Sequence, residues 1–126
     1  NEPILFRGGR RYTTTRGYAF SLQYAGPFEG SPPPPFLAAI DACDYRNCGS
    51  ARQALEHQLQ PDTMLRELNK ARAGFGIRVH PGVGPALGAS ADRPASVATG
   101  NWGCGAFLGN REVKFLLQWL GGAVCD

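Results

Sequence analysis

Apolar residues alternate at Tyr18, Phe20, Leu22 and Tyr24, with smaller or polar residues between them, and that period of two predicts a β-strand over 18–24. A shorter run, Pro3-Ile4-Leu5-Phe6, predicts a strand near the start. Residues 36–43, Phe-Leu-Ala-Ala-Ile-Asp-Ala-Cys, form a nearly continuous apolar run that reads as a strand buried on both faces. From Ser50 the spacing turns helical through Ala54, Leu55 and Leu59. A second helix opens at Pro61-Asp62, where proline and an acid suit a first turn. Its expected inward stripe is Met64, Leu65, Leu68 and Ala71, Gly74 is expected to stop it, and Glu67 is spaced to pair with Lys70. Residues 95–99 predict a short strand between Pro94 and Gly100. Asn110 then caps a third helix with Glu112 in its first turn and Val113, Leu116, Leu117 and Leu120 facing inward. The order β, β, β, α, α, β, α describes part of an α/β sandwich. So few helices do not cover both faces of its sheet, so the isolated chain is expected to expose apolar surface.

Two segments interrupt this pattern. Residues 26–35, ending in Pro32-Pro33-Pro34-Pro35, predict a stiff surface loop, and residues 76–95 predict a long loop rich in Gly, Pro and Ala. With 17 glycines and 10 prolines in 126 residues, loops take up much of the chain. A hydrophobic fraction of 43% against 18% charged residues still describes a globular domain, not a disordered one. The net charge of +3 favours an anionic ligand but falls short of a dedicated nucleic-acid binder. Arg7-Gly8-Gly9-Arg10-Arg11-Tyr12 resembles an RNA-binding Arg-Gly-Gly patch, but a single copy reads as a solvated basic turn, and no direct nucleic-acid partner is expected.

No apolar run approaches the ~18 residues of a membrane span, and no membrane partner is expected. Cysteines at 43, 48, 104 and 125 form no Cys-x-x-Cys pair, and neither His57 nor His80 stands at ligand spacing from one. Neither a metal nor an organic cofactor is expected. Free thiols suit a reducing compartment, which places the chain inside the cell, in nucleus or cytoplasm. The first residues, Asn1-Glu2-Pro3, carry no signal-peptide pattern, and the chain is expected to be a piece of a longer protein.

The densest candidate chemistry lies at residues 98–107, Ala-Thr-Gly-Asn-Trp-Gly-Cys-Gly-Ala-Phe. A glycine-rich turn before a helix offers unpaired N–H groups and the positive end of a helix dipole, which suit phosphate. The same pattern also fits a tight turn that binds nothing. Asp41 and Asp44 close the preceding apolar run, where carboxylates serve either acid–base chemistry or hydrogen bonds to nearby loop N–H groups.

The same ten residues resemble the Ala-Thr-Gly-Asn-Trp-Gly-Cys-Gly-Ala-Phe loop of poly(ADP-ribose) glycohydrolases. Three further segments resemble that family, in family order: Gly17-Tyr18-Ala19, Ala39-Ile40-Asp41-Ala42, and Met64-Leu65-Arg66-Glu67-Leu68-Asn69-Lys70-Ala71 with Gly74-Phe75. The resemblance implies a macrodomain-like α/β fold, a mixed sheet flanked by helices, present here as the C-terminal portion of the catalytic domain. It implies binding of ADP-ribose and poly(ADP-ribose), and hydrolysis of ribose–ribose O-glycosidic bonds. Carried over residue by residue, Gly103, Cys104, Gly105, Ala106 and Phe107 wrap the diphosphate. The Phe107 ring packs on the terminal ribose, Asn101 orients the loop or ligand, and Tyr18 lines the cleft.

The chain departs from the family pattern in three places. Thr15 stands where the animal enzymes usually have a second tyrosine. Phe107-Leu108-Gly109-Asn110 replaces Phe-Gly-Gly-Asp. Neither the family's Gly-Gly-Gly run nor its Gln-Glu-Glu catalytic triplet occurs in the 126 residues, so the general acid is not among them. No catalytic residue is therefore assigned in this chain. The missing N-terminal part of the same domain is the partner that this resemblance implies.

Overall fold

Among the described residues, four short strands and three helices follow in the order β1 (Ile4–Arg7), β2 (Thr13–Arg16), β3 (Gln23–Pro27), β4 (Phe36–Ala39), α1 (Ala51–Gln58), α2 (Pro61–Phe75) and α3 (Arg111–Ala123). The computed structural model describes residues 3–31, 36–76 and 97–125. β1 pairs with β4, and β2 with β3, giving two two-stranded sheets. The class is mixed α/β, as expected. Backbone proximity divides the chain into one unit of Asn1–Ile4 with Ala38–Asp126 and another of Leu5–Leu37.

In the unit of Leu5–Leu37, β2 runs antiparallel to β3, with Thr13 opposite Pro27 and Thr15 opposite Tyr24, and a bulge between. The β-branched run Thr13-Thr14-Thr15 favours this strand, which apolar patterning does not reveal. The strand expected over 18–24 is replaced. Gly17 takes a left-handed φ of 73°, and residues Ala19–Ser21 form a 3-10 turn. The Ser21 hydroxyl accepts the Tyr18 N–H at 3.1 Å and donates to its carbonyl at 2.8 Å, local bonds that outcompete a ladder. Pairing resumes only at Gln23, and Tyr18, Phe20, Leu22 and Tyr24 are all exposed. Gly26 and Pro27 belong to β3, so the expected Pro-rich loop is described only at 28–31; its residues 32–35 lie outside the described ones.

In the other unit, local caps set the helix starts. The Ser50 hydroxyl accepts the Gln53 N–H at 3.2 Å and opens α1, Pro61 occupies the first turn of α2, and Asn110 caps α3. The faces differ from the expected ones. α2 buries Glu67, Lys70, Ala71 and Gly74, while Leu65 stays exposed. α3 buries Lys114, Leu117, Gln118 and Gly121, while Leu116 and Leu120 stay exposed. Both stripes are rotated because α2 and α3 meet across small residues: a Cβ on Gly121 falls 2.8 Å from that of Ala71. Gly74 does not stop α2, which runs on to Phe75. It is buried, and a Cβ added there would fall 3.0 Å from the Ile40 side chain.

The strand expected over 36–43 is shorter and open, ending at Ala39 with Leu37, Ala38 and Ala39 exposed. Val97, Ala98 and Thr99 lie in no strand, while 95 and 96 fall outside the described residues. Of the loop expected at 76–95, Gly76 is the C-cap of α2 and the rest lies outside the described residues. Among the described residues, Tyr45, Ala54, Ala71 and Leu117 are buried apolar side chains, and Gln58, Glu67, Lys70, Lys114 and Gln118 are buried polar ones.

Candidate functional site

The glycine loop is fastened on both sides and open at its tip. At its start, the Gly100 carbonyl accepts the Trp102 N–H at 2.8 Å and the Gln118 side-chain amide at 3.2 Å. Thr99 donates its hydroxyl to Gln118 Oε1 at 2.5 Å, so α3 holds this end. The Trp102 indole N–H donates to the Ile40 carbonyl at 3.2 Å. Gly103 takes a φ of 74°, and a Cβ there falls 2.6 Å from that of Ala42, so only glycine fits without displacement. Internal turns follow: Cys104 N–H to Asn101 at 3.0 Å, Leu108 N–H to Gly105 at 3.1 Å, and Gly109 N–H to Gly103 at 2.9 Å.

At the far end, the Tyr45 N–H donates to the Phe107 carbonyl at 3.0 Å, and the Asn110 N–H to Gln58 Oε1 at 2.7 Å. Asn110 Oδ1 accepts the Val113 N–H at 2.9 Å and starts α3. Between these anchors, the N–H groups of Gly105, Ala106 and Phe107 have no acceptor among the described residues, and all three residues are exposed. Three consecutive free donors just before a helix N-terminus are suited to an anion.

A charged cluster lies beneath the loop. Lys114, 1% exposed, pairs with Glu67 Oε2 and sits 4.1 Å from the centroid of the Trp102 ring. Burial pushes the Lys114 amine down to about 8. Glu67 Oε1 accepts the Cys43 N–H at 3.0 Å and Arg66 at 2.8 Å. Arg66 also reaches Asp41 at 2.7 Å, and Lys70 pairs with the same carboxylate. In place of the expected Glu67–Lys70 pair, Glu67 pairs with Lys114 of α3 and with its neighbour Arg66, while Lys70 pairs with Asp41, because the two side chains meet different neighbours.

The residues expected from the sequence to bind a ligand are found in different units. Asn101, Gly103, Cys104, Gly105, Ala106 and Phe107 come together on the loop, with Asn101 exposed beside its start. Tyr18 is exposed in the unit of Leu5–Leu37, following Gly17. The Cys104 thiol faces the Trp102 carbonyl at 3.6 Å, and burial pushes its pKa up, so it stays a neutral packing group.

Neither aspartate offers a proton. Lys70, then Arg66, hold the Asp41 carboxyl below its ordinary value, and Arg46 does the same for Asp44 through its guanidinium and backbone N–H. Such carboxylates are ionised at neutral pH, the reverse of a glycosidase general acid. Among the described residues no cluster of three or more His, Cys, Asp or Glu can hold a metal ion, and no helix is long and apolar enough to cross a membrane. The four cysteines form no disulfide.

Sequence reasoning missed Tyr45, Arg46, Lys114 and Gln118, which support the loop from outside it. A usable signal existed for Lys114 and Gln118. They are polar residues one turn apart on an otherwise apolar segment, and buried polar groups need partners.

The chain matches the family model described as poly(ADP-ribose) glycohydrolase, macro domain fold, over residues 1–126. It is 30% identical to probable poly(ADP-ribose) glycohydrolase 2 of Arabidopsis thaliana over 154 residues, covering 95% of this chain and 28% of that protein. It is 38% identical to poly(ADP-ribose) glycohydrolase 2 of Caenorhabditis elegans over 88 residues, covering 70% of this chain and 16% of that one. The chain therefore spans under a third of the length of either relative.

Proposed function

Because this chain belongs to the poly(ADP-ribose) glycohydrolase family, with its macro domain fold, we propose that it supplies the diphosphate-binding loop of a glycohydrolase catalytic domain. The whole enzyme hydrolyses ribose–ribose O-glycosidic bonds of poly(ADP-ribose) and releases ADP-ribose. The observation that carries this reading is the row of free N–H groups at Gly105, Ala106 and Phe107 on a loop fastened at Ile40, Tyr45, Gln58 and Gln118. Held donors of this kind bind phosphate oxygens without first having to be ordered, which favours affinity. In this reading Phe107 packs on the terminal ribose, Asn101 orients the ligand, and Tyr18 lines the cleft. The setting is intracellular, in nucleus or cytoplasm.

The reaction needs a carboxylic acid to protonate the leaving ribose oxygen as an oxocarbenium-like centre forms. The 126 residues contain no Gln-Glu-Glu, and Asp41 and Asp44 are committed as ionised partners of basic residues. The acid then comes from the rest of the catalytic domain, and this chain alone binds but does not cleave. A second reading, a non-catalytic ADP-ribose-binding fragment, rests on the same ion-paired aspartates. The two part on whether the chain, joined to the segment carrying the paired glutamates, releases ADP-ribose from polymer.

The loop assignment is tested by titration calorimetry of ADP-ribose against the chain and its Gly105→Trp variant. A Cβ at Gly105 meets nothing within 4 Å, so the backbone accepts a side chain there and the indole is expected to fill ligand space. Binding is expected to weaken by about tenfold or more through this clash alone. Equal affinity in both proteins refutes the assignment.

A further inference from the structure

The segment Asp44-Tyr45-Arg46 grips Phe107 from outside the loop, at both its backbone and its ring. The Tyr45 N–H bonds the Phe107 carbonyl at 3.0 Å, and Tyr45 itself is 1% exposed, with its ring edge-on to His57 at 5.8 Å. That attachment point is buried. One residue on, the Arg46 guanidinium lies over the Phe107 ring, 5.5 Å from its centroid, within the range of a cation–π contact. The guanidinium is not free to wander. Asp44 accepts from Arg46 Nε at 2.9 Å and from Nη2 at 2.5 Å, and its Oδ1 also takes the Arg46 backbone N–H at 3.0 Å. Phe107 keeps 37% of its surface open, so a ring held on one side by Arg46 still offers area to a ligand.

We infer that Arg46, oriented by Asp44, is a positioning residue that fixes the Phe107 ring and thereby sets preference for ligands carrying a ribose beyond the diphosphate. The inference rests on the assignment of the glycine loop to diphosphate and of Phe107 to the terminal ribose. Arg46 acts through the ring and not through charge alone. Loss of a cation near the diphosphate weakens every ligand with two phosphates, whereas loss of ring position weakens only those with the distal ribose.

The test is calorimetric titration of the chain with ADP-ribose and, separately, with ADP. Four proteins are compared: the chain itself, Arg46→Ala, Arg46→Lys and Phe107→Ala. Arg46→Ala is expected to lose ~2- to 5-fold in affinity for ADP-ribose, the size of an exposed cation–π contact, with ADP affinity unchanged. Arg46→Lys, which keeps a cation over the ring, recovers part of that loss. Phe107→Ala abolishes the preference between the two ligands, and adding Arg46→Ala to it has no further effect. Equal losses for ADP and ADP-ribose in Arg46→Ala, or no loss for either, overturn the inference while leaving the loop assignment standing. Failure of the unaltered chain to bind either ligand overturns both.

Discussion

Leu108 is the one described non-glycine residue with a left-handed backbone, at a φ of 58°. It stands where glycohydrolases of the resembled family carry glycine. A leucine in that region costs about 1–2 kcal/mol, and glycine gives back about 0.5–1 kcal/mol through the entropy of the unfolded chain. Leu108→Gly is therefore expected to raise stability by roughly 0.5 kcal/mol in urea denaturation, a balance of those two terms. An unchanged or lower midpoint contradicts it. Asp41 makes a second single-residue prediction. Lys70 and Arg66 hold its folded pKa below the usual carboxylate value, so its contribution is present above pH ~4 and lost as pH falls through the lowered pKa. Because Asp41 is largely exposed, the effect stays below about 1 kcal/mol. The loss of stability between pH 5 and 2 should be shallower in Asp41→Asn than in the unaltered chain.

Helix α3 shows how one residue type does opposite work at adjacent positions. A Cβ at Gly121 lands 2.8 Å from Ala71 on α2, whereas one at Gly122 meets only the Phe75 ring at 3.9 Å. Gly121→Ala gains helix propensity but pushes α2 and α3 apart, and overpacking costs about 1–3 kcal/mol against a gain near 1. Gly122→Ala keeps the gain without the clash. Thermal denaturation should show the first substitution destabilising and the second stabilising by up to about 1 kcal/mol. If both stabilise, the close α2–α3 contact is wrong. The helix starts were legible in the chain because Ser50, Pro61 and Asn110 act on backbone groups within three residues. The buried faces were not, because a helix with apolar residues on several sides can turn any of them inward. Here the small residues Ala71 and Gly121 decided it.

The described residues leave much apolar surface uncovered. From Phe115 to Leu120 five of six residues are apolar, yet Phe115, Leu116, Trp119 and Leu120 are exposed, Trp119 by 64%. A helix apolar on nearly every side belongs in an interior, and patches of this kind mark contact surfaces. The purified chain is expected to self-associate with rising concentration in size-exclusion chromatography and to bind a hydrophobic dye. Phe115→Glu with Trp119→Glu should reduce both without loss of helicity. A dye-silent monomer at every concentration contradicts the expectation.

Read as sequence, the chain already carried the three helices of the described residues, the glycine-rich turn ahead of the last of them, and the family to which it belongs. Each depends on residues near one another along the chain: a capping side chain, a proline in a first turn, glycines before a helix. The support beneath the loop required the fold. Trp102 reaches Ile40, Phe107 reaches Tyr45 and Arg46, and Lys114 reaches Glu67 across dozens of residues. No local rule selects these partners. They are chosen when buried polar groups, once removed from water, must each find a partner in whichever segment packing brings close.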